Sequence, residues 1–179
     1  FLVTHIAGAT AGLTWCILDW IKFGKPTTLG MITGMVAGLA AVTPGAGFVD
    51  MSGSIWIGMG AGIICWFAVT ALKARLQYDD SLDAFGVHGL GGIWGTLAVG
   101  LWATKAVNPN GVDGLFMGNP IQLWLQFKAV AITGIYSFVM SLVLFKLVDF
   151  VFTLRVNEHE ECVGLDLTQH RESGYTIID

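Results

Sequence analysis

Asp83-Ala84-Phe85-Gly86-Val87-His88-Gly89-Leu90-Gly91-Gly92-Ile93-Trp94-Gly95-Thr96-Leu97-Ala98-Val99-Gly100-Leu101-Trp102-Ala103-Thr104 is an apolar run with one ionisable side chain, His88, beyond its opening aspartate. Roughly 20 such residues in a helix cross the about 30 Å of hydrocarbon in a bilayer, so the run reads as a membrane span. An imidazole at that depth is expensive, and such groups normally face a bundle interior or a watered path. The stretch therefore points to an all-α, polytopic membrane helix bundle, with His88 as its first candidate functional residue.

Composition agrees. Of 179 residues 54% are hydrophobic and 12% charged, and the mean hydropathy is +0.68; a soluble domain carries about 25% charged residues. Five windows qualify as spans: about 2–21, 28–42, 53–72, 84–104 and 121–153. The second is short and fenced by Pro26 and Pro44, which predicts sharp helix ends. The fifth exceeds a perpendicular crossing and should tilt or project. Residues 1–155 thus form the transmembrane region and 156–179 a polar tail.

Orientation follows from Lys and Arg, which accumulate in cytoplasmic loops. Lys22, Lys25, Lys73, Arg75, Lys146, Arg155 and Arg171 fall on one side, Lys105 and Lys128 on the other, seven against two of the nine basic residues. The tail is therefore expected in the cytoplasm and the chain in the cell membrane. The net charge of -4 names no partner, and without a basic patch interleaved with aromatics nucleic acid is not expected. The chain begins at Phe1 inside an apolar run, and so reads as the carboxyl part of a longer protein; no basic n-region or cleavage site supports a signal peptide. Cys16, Cys65 and Cys162 are few and scattered, which argues against a disulfide framework.

Small residues recur at helical spacing. Gly30, Gly34 and Gly38, then Ser54, Gly58 and Gly62, then Gly91 and Gly95 lie four apart, with Gly92, Thr96 and Gly100 alongside. Such stripes let helix backbones approach closely, and closely packed helices can enclose a narrow solute path. In an α-helix His88 shares a face with Gly92, Gly95 and Val99, so it is expected to point at a packed seam. Two readings stay open there: a core histidine bonded to a neighbouring helix, or a ring facing a solute path.

A metal site is not expected, because no His, Cys or carboxylate stands at i+3 or i+4 of His88; the Glu158-His159-Glu160-Glu161-Cys162 run reads as solvated charge. Asp83 reads as an amino-terminal helix cap, with direct solute contact as the other reading, and Asp79 and Asp80 as a solvated loop with cap potential. His5 reads as interfacial or packed, and Trp20, Trp102, Trp124 and Tyr78 as interfacial anchors. No nucleophile, base and orienting group occur together, so no enzyme and no cofactor are expected.

These residues also match a family. Asp79 through Gly95 resembles the tenth-helix region of the Amt/Mep/Rh ammonium transporters, Gly34 through Pro44 the eighth helix and its turn, and Gly164-Leu165-Asp166-Leu167-Thr168-Gln169-His170 the family's tail, in its Amt form. The resemblance runs from about the seventh helix to the carboxyl terminus. It implies an eleven-helix, inverted-repeat subunit assembled as a homotrimer, with one hydrophobic pore per subunit conducting ammonium or ammonia. Two histidines line that pore, and His88 matches the second; the first belongs to the fifth helix, outside this sequence, as do the outer recruitment site and the gating phenylalanines. Ala84, one turn before His88, is expected on the pore wall, and Asp83, Gly89 and Gly92 close to it. Gly164, Asp166 and Thr168 match tail positions that couple neighbouring subunits, the threonine being phosphorylated in plant relatives. A PII-type regulatory protein is the implied cytoplasmic partner. The rival functions are a membrane-embedded ammonium sensor and a channel for another small neutral solute.

Overall fold

The computed structural model describes residues 1–174 and is helical throughout its ordered elements. Five apolar helices come first: α1 Leu2–Phe23, α2 Thr28–Val42, α3 Met51–Leu76, α4 Ala84–Trp102 and α5 Pro120–Val151. A short α6, Glu158–Val163, lies in the tail. Helices α1, α3, α4 and α5 are long and apolar enough to cross a bilayer, whereas α2 has 15 residues and reaches only about 22 Å. The chain divides into two compact units, Phe1–Ile132 and Thr133–Asp179; residues 175–179 of the expected tail lie outside the described residues.

The helix ends follow from local chemistry. Gly24 takes the left-handed conformation (φ 79°) and its N–H donates to the Trp20 carbonyl, closing α1, a role that glycine fills without strain. Thr27 caps α2, its hydroxyl accepting from Gly30 N at 3.0 Å. Asp50 caps α3 in the same way, accepting from Gly53 N at 2.7 Å.

Lipid tails are as apolar as leucine, so helices in a bilayer associate through close packing and not through a hydrophobic drive. The first unit follows this rule. The face of α1 that carries Ala7 and Ala11, both fully buried, is gripped from two sides. A methyl on Gly38 of α2 would collide with the Ala7 carbonyl, and one on Gly58 of α3 would meet the same oxygen. One on Gly62 would stand 2.9 Å from the Ala11 carbonyl. Helix α4 seats on α2 and α3 through Gly95 against the Ala41 carbonyl and Gly91 against Cys65 Sγ. The glycine periodicity in the sequence is thus realised as backbone-to-backbone contact. Large side chains fill the remaining space: Ile57, Val42 and Val49 are fully buried, and Trp94 donates from Nε1 to the Ile57 carbonyl at 2.9 Å.

Candidate functional site

The site is built on the start of α4. Its first free N–H groups are satisfied by Asp80, whose two carboxylate oxygens accept from Ala84 N at 2.8 Å and Phe85 N at 2.9 Å. The cap expected of Asp83 is therefore supplied three residues earlier. Asp83 itself sits in the left-handed region at φ 54° and makes no side-chain cap. That conformation carries its carboxylate away from the helix start to the Lys73 ammonium on α3, at 2.6 Å. Its carbonyl still joins the helix, accepting from Val87 N at 2.8 Å.

The first turn of α4 is not α-helical. Ala84–Gly89 forms a π-helical segment, and regular α-helix begins at Leu90. A π turn holds an extra residue, so every side chain before it is rotated relative to those after it; such turns are rare and concentrate at functional sites. This overturns one expectation. Gly95 and Val99 are buried in the packed seam, but His88 is exposed on the surface of the chain. Its ring makes no hydrogen bond among the described residues. Ala84 is exposed as well, and Gly92 has open space where a side chain would stand. Gly89 is half-buried, with the Phe85 ring 2.9 Å from where its methyl would be. Between the exposed positions, Gly86 and Val87 turn inward, and Gly86 packs against Val69 in the second π-helical segment, Ala68–Leu72 of α3.

One polar residue was not singled out by the sequence. Asp19, in the last turns of α1, is 3% exposed. Its Oδ1 accepts from Trp66 Nε1 at 2.8 Å and its Oδ2 from the Thr27 hydroxyl at 3.0 Å, tying α1 to α3 and to the cap of α2. The signal was present: Ala7, Ala11, Trp15 and Asp19 stand four apart on the buried face of α1, and a carboxylate there needs partners. Hydrogen bonds to charged groups contribute about 1.5–3 kcal/mol each. Asp19→Leu is expected to lower stability by about 2–4 kcal/mol, seen as a fall in thermal midpoint in detergent, with Asp19→Asn milder because one acceptor survives.

In the second unit the three tail positions meet in one turn. Gly164, at φ 106°, offers its carbonyl to Thr168 N at 3.1 Å and to the Thr168 hydroxyl at 3.0 Å. Asp166 accepts from Gly174 N at 2.8 Å. That backbone N–H, ahead of weaker contributions from the amides of Leu167 and Asp166 and from His170, holds the carboxyl below its ordinary value of 3.8. A lowered carboxylate pKa stabilises the turn fully above the ordinary value and loses that contribution as pH falls through the lowered one. The Gly174 amide resonance is expected to hold steady above pH 3.8 and to move only in more acid solution; movement near neutrality would contradict the contact.

A bundle of apolar helices joined through glycine stripes, with a histidine-bearing π turn at the head of one span, defines a polytopic helical membrane protein. The model of the Ammonium Transporter Family matches residues 1–175, and the chain belongs to that family. It is 50% identical over 175 residues to ammonium transporter Amt1 of Archaeoglobus fulgidus, covering 98% of this chain and 44% of that protein. To the ammonium transporter of Bacillus subtilis it is 46% identical, over 98% of this chain and 43% of that one. Among solved structures, Mep2 of Saccharomyces cerevisiae superposes with a TM-score of 0.82 at 30% identity, over 88% of this chain and 37% of that chain. A structure described as a sensor Amt protein gives a TM-score of 0.82 at 30% identity, over 94% and 40% respectively. The chain thus spans less than half the length of these relatives.

Proposed function

We propose that the protein to which this chain contributes carries ammonium or ammonia across the cell membrane, and that His88 and Ala84 stand on the wall of its path. The observation that carries the reading is the exposure of His88, in a π turn, within a chain of the Ammonium Transporter Family; the relatives bearing the name ammonium transporter supply the substrate. Moving an ion into an apolar passage is costly. A neutral imidazole donates from one ring nitrogen and accepts at the other, so His88 can take a hydrogen bond or a proton from the solute while a second group fixes its tautomer. In the full subunit that second group is the other histidine of the pair, and Asp83, Gly89 and Gly92 frame the site.

The subunit assembles as a homotrimer, with the tail in the cytoplasm and the turn of Gly164, Asp166 and Thr168 coupling neighbours; a PII-type protein acts from the same side. The clustering of Lys22, Lys25, Lys73 and Arg75 at the helix ends flanking Asp19 and Asp83 supports that orientation. The likeness to a sensor Amt protein favours a second reading, in which the same path reads ammonium without carrying much of it. Flux into proteoliposomes containing the complete protein separates the two: transport predicts ammonium-dependent flux that methylammonium competes for, and a sensor predicts binding with little flux. Flux indifferent to methylammonium would indicate another neutral solute.

A further inference from the structure

We propose that the Lys73–Asp83 ion pair is a positioning strut, which holds the π turn carrying His88 against the π turn of α3 and so sets where the imidazole stands. The proposal rests on the reading of His88 as a residue of the solute path.

Four observations converge on it. Both helices depart from α geometry at facing places, Ala68–Leu72 in α3 and Ala84–Gly89 in α4. The two segments approach closely at Gly86: a methyl there would stand 3.0 Å from Val69 Cγ2 and 3.6 Å from Ala68 Cβ. Next to this contact the Cys65 thiol lies 3.7 Å from the Val87 carbonyl, a weak bond. Immediately before the π turn, Asp83 takes the left-handed backbone that a non-glycine residue adopts at a cost, and that conformation is what delivers its carboxylate to Lys73 Nζ at 2.6 Å.

Asp80 already caps the turn, so Asp83 is not needed to satisfy backbone N–H groups. The side chains of the pair are 30% and 25% exposed, so the link is partly shielded from solvent. What the pair does supply is a short, directional link between α3 and the residue five positions before His88. A π turn is a rare departure from α geometry, and without the link its register is free to relax to an α turn, rotating His88 with it.

The test uses the complete subunit in lipid bilayers with isotope-labelled histidine. Lys73→Met and Asp83→Asn remove one charge each while keeping size, and asparagine tolerates the left-handed backbone. Both are expected to shift the His88 imidazole resonance and to raise the methylammonium KM severalfold with a smaller change in maximal rate. Lys73→Arg, which keeps the charge, is expected to leave resonance and KM near those of the parent. An unmoved His88 resonance in Lys73→Met and Asp83→Asn overturns the strut. If Lys73→Met fails to assemble, Asp83→Asn decides: a displaced resonance supports the charge link, and an unmoved one overturns it. A resonance that moves while uptake stays normal upholds the strut and instead removes His88 from the solute path, so the two failures are distinguishable.

Discussion

Replacing His88 by alanine in the complete subunit is expected to leave assembly intact and to cut ammonium flux, or its discrimination over other cations, by about tenfold to a hundredfold. The first half follows from exposure: the ring lies on the surface of the chain and makes no hydrogen bond among the described residues, so its removal opens no cavity within this bundle. The second half follows from chemistry. A hydrogen bond to a charged group contributes about 1.5–3 kcal/mol, and each 1.4 kcal/mol is about tenfold in rate. If the solute meets His88 as an ion or gives it a proton, the variant loses that contribution where the apolar path offers no substitute. Flux and competition by methylammonium and potassium, measured beside the parent at equal protein density, check the prediction. Unchanged flux and selectivity in a well-assembled variant would remove His88 from the path.

Much of this architecture is legible without coordinates. The apolar windows depend only on composition and length, and the four-residue spacing of Gly30, Gly34 and Gly38 already states which face of α2 can meet another backbone. The stretches from Asp79 to Gly95, Gly34 to Pro44 and Gly164 to His170 together pointed to the family, which the match over residues 1–175 now shows. What was not legible depends on hydrogen-bond register and long-range pairing. A π turn has no compositional mark, so a periodicity of 3.6 residues placed His88 with Gly95 and Val99, whereas the inserted residue turns it onto the open side. The cap was misassigned for a related reason: both Asp80 and Asp83 precede the helix, and only backbone geometry distinguishes the one that reaches Ala84 and Phe85 from the one that reaches Lys73. Asp19 was passed over because its partner Trp66 lies 47 residues away, and nothing local announces such a pairing.

The glycines of α4 allow the sharpest separation of packing from path, because Gly92 and Gly95 are three residues apart and meet opposite surroundings. Alanine is favoured over glycine in a helix by about 1 kcal/mol, so on propensity alone either substitution should stabilise. Gly92→Ala is expected to do so or to be neutral, since nothing lies within 4 Å of the added methyl. Gly95→Ala places its methyl inside the contact with the Ala41 carbonyl, and a backbone oxygen within a helix cannot rotate aside as a side chain does. Helices α2 and α4 must separate, at an overpacking cost toward the upper end of about 1–3 kcal/mol, against the about 1 kcal/mol gained in propensity. Gly95→Ala should therefore lower the yield and thermal midpoint of assembled protein sharply, and Gly92→Ala should not. Flux adds an independent reading. Because Gly92 stands four residues after His88 with open space beside it, its variant is expected to assemble normally yet conduct less. Equal thermal midpoints for the two variants would contradict the assignment of Gly95 to the seam, and an undiminished flux in Gly92→Ala would move the path away from this face of α4.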